Sequence, residues 1–258
     1  MTIVSPAPVL EVQGVIKRFD SFTALAGVDL VLYAGSVHAV IGPNGAGKTT
    51  LLQVITGLVR PDAGRILLKD REISRWPSWR RVRAGLGRTF QVAHLFEQMT
   101  VTESLRVAAA AQGRTRMIST LRSASQTEQE ASRRAMELCE LGDLGNQVVG
   151  ELSHGDRKRV ELALVLTGSA DVLVLDEPTA GMSRAETELL VALLAKLVRD
   201  EGRSLLLIEH DMEVVGRLAD HVTALSQGEV VFSGTPTDMS ESKELRTAYF
   251  GPERVGLD

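Results

Sequence analysis

Cysteine is nearly missing from this chain of 258 residues, where Cys139 stands alone. A single thiol excludes an internal disulfide and agrees with a reducing compartment. It sits in Met136-Glu137-Leu138-Cys139-Glu140-Leu141, an apolar helical pattern, and is expected to be a small core residue. Long apolar runs are missing too. Leu162–Leu166 and Val172–Leu175 are short core segments, far below the roughly 20 residues that cross a bilayer. Any membrane role must therefore come through a partner. The opening MTIVSPAPVLEVQG has neither a charged first region nor a long apolar one, so no signal peptide is expected. Positive charge is not in excess either. Lys and Arg number 29 against 33 Asp and Glu, a formal charge of −4, which gives no basis for nucleic-acid binding. No internal repeat is visible.

What is present is ordinary for a soluble globular chain: 44% hydrophobic and 24% charged residues. The length fits one large domain, or one domain with a sub-domain. The stretch Val37 to Thr56 organises it. An apolar run, Val37–Ile41, is long enough for one buried strand. Gly42-Pro43-Asn44-Gly45-Ala46-Gly47 breaks it, and Lys48-Thr49-Thr50-Leu51-Leu52 resumes with helical spacing. Strand, glycine loop and helix are the context in which G-x-x-x-x-G-K-[ST] binds phosphate, and Gly42 to Thr49 matches every fixed position. Small residues let backbone N–H groups curl into an anion nest, and the following helix points its positive end at the same place. Lys48 would neutralise β- and γ-phosphate oxygens, and the Thr49 hydroxyl would ligate Mg²⁺.

A second apolar strand, Val172–Leu175, ends in Asp176 and Glu177. Asp176 at the strand tip is placed to hold Mg²⁺, directly or through water. Glu177, one residue on, can orient and deprotonate a water aimed at the γ-phosphate. Around these motifs strands are expected at Val9–Val15, Ala24–Tyr33, Arg65–Lys69, Ser204–Ile208, Val222–Leu225 and Glu229–Phe232. The last two form a hairpin across Gln227-Gly228. Helices are expected at Ala185–Arg199, Met212–Leu218 and near Leu245–Phe250. Between Glu103 and Leu166 the pattern is helical throughout (Glu103–Ala111 with Thr102 as N-cap, Glu128–Leu141, Arg157–Leu166), with the polar run from Ser119 to Glu130 a connection or an exposed helix start. Trp76-Pro77-Ser78-Trp79-Arg80-Arg81 reads as a solvated helix start. Phe19 reads from spacing alone as a packed aromatic at a strand end rather than a platform for a purine base. His210 reads by itself as a satisfied core or loop histidine rather than a hydrogen-bond donor to phosphate.

Five elements in fixed order resemble the ATP-binding subunits of ABC transporters over nearly the whole chain. Beside Gly42–Thr50 and Val172–Glu177, Gln91 stands at the place of the family's Q-loop glutamine. Leu152-Ser153-His154-Gly155-Asp156 stands at the LSGGQ signature, and His210 at the switch histidine. Thr179–Ser183 falls where the family has its D-loop. The resemblance implies an α/β fold: a P-loop NTPase core with a mixed sheet, an N-terminal antiparallel β part and an inserted α-helical sub-domain. Within one domain, residues 1–99 and 169–258 would be the nucleotide-binding core and 100–168 the helical sub-domain. It further implies ATP and Mg²⁺ as ligands, Phe19 as adenine stacker, and Gln91 reaching Mg²⁺ and the attacking water. Ser153 and Gly155 would serve the γ-phosphate of an ATP on a second ATPase chain, sandwiching two nucleotides. His154 replaces the signature's first glycine and Asp156 its glutamine, so a weaker but functional half-site is expected.

A finer resemblance is to ATPases of importers for branched-chain amino acids, or for urea and short amides. Its carriers are Gly87-Arg88-Thr89-Phe90-Gln91, Leu95-Phe96, Met99-Thr100-Val101, Ala180-Gly181-Met182-Ser183, Glu209-His210-Asp211-Met212 and Tyr249-Phe250-Gly251. It implies transmembrane permease subunits contacting Val92–Met99 and the helical block. It also implies a solute-binding protein as an indirect partner, and a peripheral place on the cytoplasmic face of the inner membrane. An exporter ATPase of the lipopolysaccharide-extracting kind and a soluble non-transport ABC protein remain as alternatives.

Overall fold

The computed structural model describes residues 7–89, 97–113 and 121–241, except the side chains of 112–113 and 121–125. Two sheets carry it. The first is antiparallel, from β1 (Pro8–Phe19), β2 (Phe22–Tyr33), β4 (Ala63–Leu68) and β5 (Arg71–Glu72), in the order β2-β1-β4-β5. The second is mixed, in the order β10-β9-β3-β8-β7-β6. Its strands are β3 (Val37–Ile41), β6 (Leu86–Arg88), β7 (Val172–Asp176), β8 (Ser204–Ile208), β9 (His221–Ser226) and β10 (Glu229–Gly234). All pair in parallel except β10, which returns against β9.

Burial explains why the central strands are nearly unbroken apolar runs. Every residue of β3 and β8 is buried, as expected for parallel strands covered on both faces. Alternate side chains feed two cores. Val172, Val174, Leu206 and Ile208 face a core shared with the antiparallel sheet and α1 (Lys48–Thr56). Leu173, Leu175, Leu205 and Leu207 face a second core. That core is built with α5 (His154–Leu166), α6 (Arg184–Arg199) and α7 (Met212–Leu218). The chain also has α2 (Ser78–Arg83), α3 (Val101–Gly113), α4 (Leu121–Leu138) and α8 (Pro236–Glu241). Between β6 and β7 the described residues contain helices, two 3-10 turns and a lone bridge from Thr100 to Val148, but no strand.

Several expectations need correction. Thr102 does not cap α3; its hydroxyl bonds the Gly145 carbonyl. Thr100 is the cap, exchanging hydrogen bonds with Glu103 at 2.9 and 3.2 Å in a reciprocal box. The strand β6 was not expected, because three residues with a central glycine give no periodicity. Gly87 is required there, since a Cβ would lie 2.5 Å from Val165 Cγ1. Helix α4 (Leu121–Leu138) takes in most of the polar run, which is thus a helix start and not a connection, and it extends ahead of the expected Glu128. Arg81 is not solvated: it is fully buried and donates to the Val54, Ile55, Ser74 and Trp76 carbonyls. Burial without a carboxylate pushes its pKa down to about 10. Cys139 is fully buried as expected, and burial pushes its thiol up to about 12. The short helix α8 was not foreseen, and Leu245–Phe250 lies outside the described residues.

Where the sheets meet, His38 on β3 is buried between the Val31 carbonyl and the Thr223 hydroxyl, both at 2.8 Å. Burial pushes its pKa down to about 4, and His221, with ring centroids 4.9 Å apart, adds a smaller push in the same direction. The unfolded chain therefore binds one more proton than the folded one between pH 6.5 and about 4. The neutral ring's contribution is complete above pH 6.5 and is lost as pH falls through that window. By pH 4 the loss amounts to roughly 3 kcal/mol. In urea titrations from pH 7 to 4, His38→Gln is expected to flatten this part of the stability profile relative to wild type.

Candidate active site

Three parallel strands end side by side. Val40 and Asp176 both register with Ile208, so β3, β8 and β7 deliver Gly42, Glu209-His210 and Asp176-Glu177 to one edge. That is where open α/β sheets hold ligands.

The loop after β3 is shaped by two close approaches. A Cβ on Gly42 would lie 2.5 Å from the Leu225 carbonyl oxygen, and one on Gly47 would lie 2.5 Å from that of Ala24. Gly47 is also the N-cap of α1, with φ 103° and no side-chain cap. No acid sits in the first turn of α1, so its N–H groups present an uncompensated positive end. Lys48 crosses the loop, and its Nζ donates to the Gly42 and Pro43 carbonyls at 2.6 and 3.0 Å. Burial lowers its pKa, while Glu177 and Asp176 pull the other way. Pro43, Asn44, Gly45 and Thr49 are exposed, Ala46 is buried, and Thr50 is half-buried.

Opposite the lysine, Glu177 sits at φ 48°, a left-handed conformation rare for a non-glycine residue. Its N–H bonds the Ile208 carbonyl at 3.0 Å, fixing the turn to the neighbouring strand. Its Oε1 accepts from His210 Nε2 at 2.7 Å. Burial raises the pKa of Asp176, opposed first by Arg88, whose guanidinium lies 3.7 Å away. The structure thus gathers Gly42–Thr50, Asp176, Glu177 and His210. An acid-bound histidine and a cationic loop can polarise a water against a phosphate.

Phe19 lies at the exposed end of β1, paired with Phe22, and Lys17 Nζ sits 5.2 Å from its ring centroid. The hairpin that carries it is built onto the phosphate loop through the Ala24 carbonyl against Gly47. Ser153 caps α5, accepting the Asp156 N–H at 3.1 Å. Asp156 pairs with Arg159 and accepts the Ser153 hydroxyl. Among the described residues, Ser153 and Gly155 hydrogen-bond to Asp156 and Glu186, and not to the phosphate loop. Gln91 lies outside the described residues, as do Val92 to Phe96.

Among the described residues no three His, Cys, Asp or Glu side chains gather into a metal cage. Magnesium does not ask for one. It takes one or two protein oxygens and completes its shell with phosphate and water. Asp176 and Thr49 are hard oxygen donors of that kind.

A model of the ABC transporter family matches residues 25–180, from β2 to the loop after Glu177. The chain belongs to the ABC transporter family. A high-affinity branched-chain amino acid transport ATP-binding protein of Escherichia coli K12, LivG, is 37% identical over 95% of this chain and 98% of its own. Its counterpart BraF of Pseudomonas aeruginosa is 36% identical over the same shares. A solved ATP-binding cassette of an ABC transporter in its ADP conformation superposes with a TM-score of 0.83 at 27% identity, covering 95% of this chain and 100% of that one. This ABC protein is an ATP-binding subunit, and it hydrolyses ATP.

Sequence reasoning missed three side chains that position this ABC site. Arg88 bridges the Thr56 hydroxyl, at 3.2 Å, towards Asp176. Glu186 reaches from α6 to Gly155. Glu209 is buried and accepts the Thr179 N–H at 3.1 Å, the Thr179 hydroxyl at 2.7 Å and the His210 N–H at 3.1 Å. It ties the loop after Glu177 to the turn that carries His210. The available signal was an acid adjacent to His210. In Glu209→Gln the amide NH₂ must face one of these donors. Turnover is expected to fall about tenfold, as one misplaced charge-assisted hydrogen bond costs, with ATP affinity unchanged. Steady-state ATPase rates and equilibrium nucleotide titration separate the two.

Proposed function

We propose that this chain is the ATP-hydrolysing subunit of an ABC importer that takes up branched-chain amino acids or a similar small polar solute through separate membrane subunits. Likeness to LivG over nearly the full length of both chains supports the solute class. The observation that carries the catalytic part is the 2.7 Å bond between His210 and Glu177, level with the phosphate loop.

In this reading Gly42 to Gly47 wrap the phosphates with backbone N–H groups, and Lys48 leaves its loop carbonyls for the β- and γ-phosphate oxygens. Thr49 and Asp176, with Gln91, would hold Mg²⁺, which when bound neutralises charge on the phosphates. Phe19 stacks on adenine. Glu177 accepts a proton from the attacking water, and His210 holds Glu177 in line until its Nε2–H passes to the γ-phosphate. Ser153 and the Gly155 N–H serve the ATP of a second ABC ATPase chain, so two chains close around two nucleotides. Closure pulls on permease subunits docked near the helical sub-domain (100–168), and hydrolysis in the core (1–99, 169–258) reopens the pair. No helix among the described residues is long and apolar enough to cross a membrane. In this reading the permeases hold the chain at the cytoplasmic face of the inner membrane. A solute-binding protein completes the system without touching this chain.

Glu177→Gln is expected to lower turnover by ~100-fold or more while keeping ATP affinity, because only proton transfer is removed. Single-turnover ATPase and nucleotide binding check both halves, and normal turnover would remove Glu177 as base. Purified from native membranes under mild detergent, the tagged chain is expected to bring two permease chains and a second ATPase. Recovery of soluble partners alone would support the non-transport alternative. Permeases without a binding protein in their gene neighbourhood would support export.

A further inference from the structure

Glu186 holds two turns at once. Its Oε2 closes a capping box at the start of α6, accepting the Ser183 N–H at 2.9 Å and the Ser183 hydroxyl at 2.8 Å. Its Oε1 leaves that helix and accepts the Gly155 N–H in the first turn of α5 at 3.1 Å. The approach is tight, for a Cβ on Gly155 would lie 2.6 Å from Glu186 Oε1. The donors on Ser183 and then Gly155 push the Glu186 carboxyl down to about 2, with the Ser153 hydroxyl adding to the effect. Beside it, His154 Nε2 donates to the Ala180 carbonyl at 3.0 Å. The signature turn of this chain is therefore latched at two points to the segment that follows its own Glu177.

A carboxylate on the N–H groups of a helix start occupies the place that suits any anion. We propose that Glu186 is a resident anion on the Ser153–Gly155 turn, and that it must release the Gly155 N–H before that turn can receive the terminal phosphate of the ATP on the partner chain. The inference rests on the reading of Ser153 and Gly155 as the partner's phosphate ligands. One N–H carries one proton, and a carboxylate and a phosphate competing for it repel each other. Release does not undo α6, because Oε2 holds Ser183 independently of Oε1. It does free one of the two ties between the signature turn and the loop behind Glu177. Arrival of phosphate on one side of the dimer thereby loosens the catalytic loop serving the other nucleotide.

Glu186→Gln separates the two duties. A glutamine at this helical position still completes a capping box. With its single acceptor oxygen on Ser183, it turns an NH₂ towards the Gly155 N–H, and the latch opens. The measurement is MgATP-driven dimerisation, followed by light scattering, of the Glu177→Gln chain with and without Glu186→Gln. Each is measured alone and mixed with the ATPase chain that co-purifies with it. The double variant is expected to reach half-dimerisation at ~10-fold lower ATP, the value of one charge-assisted contact, and losing that contact from the nucleotide-free fold is expected to lower its melting temperature by about 3 °C. Ser183→Ala, which weakens the α6 cap but leaves the carboxylate on Gly155, is expected to lower the melting temperature without that shift. An equal or higher ATP requirement in the double variant overturns the proposal and leaves the sandwich standing. Full ATP binding with no dimer in any mixture overturns the sandwich, and the proposal with it.

Discussion

Everything catalytic here depends on a steric constraint: backbone must pass within touching distance of backbone around the phosphate loop. Carbonyls from two different sheets, Leu225 on β9 and Ala24 on β2, press on Gly42 and Gly47. A single methyl at either glycine would push the loop away from one sheet. The loop is thus clamped by the fold as well as by its own hydrogen bonds, from Lys48 Nζ to the Gly42 and Pro43 carbonyls and from the Ala46 N–H to Pro43. Its depth relative to Asp176 and Glu177 follows from the parallel register of β3, β8 and β7.

Within that clamp, charge is balanced locally. Lys48 is buried and satisfied by the carbonyls of its own loop, with Asp176 and Glu177 close enough to sustain its charge. Arg88 does the same for Asp176 from the far side. The site holds opposite charges apart, and Lys48 is the side chain that exchanges its loop carbonyls for phosphate oxygens in the proposed reading. Glu177 is held in an uncommon backbone conformation by the bond of its N–H to Ile208, so its orientation is built in before any ligand binds.

Legibility in the sequence followed the range of the interactions. The central strands showed themselves because burial on both faces makes Val37–Ile41 and Ser204–Ile208 continuous apolar runs. The phosphate loop and the paired acids showed themselves because each is contiguous. What stayed hidden joins segments far apart in the chain: Glu209 with Thr179, Glu186 with Gly155, and Arg81 with the end of α1. Each of these charged side chains looks like solvated surface until the fold supplies its partners. Local errors had local causes. Thr100 and Thr102 are equally good caps by type, and only the reciprocal bond with Glu103 decides between them. The strand β6 is too short to show a period.

The buried guanidinium of Arg81 has one more effect. Helix α1 has nine residues, about 14 Å of axis. Its terminal carbonyls would ordinarily form a negative pole that partly cancels the field at its other end. Arg81 donates to two of them, Val54 and Ile55, from a fully buried position, with no carboxylate paired to it among the described residues. The negative pole is masked and the far pole is not. To an approaching polyanion, α1 resembles a monopole more than a dipole. The attraction then decays more slowly with distance, and capture begins before the phosphates reach the glycines.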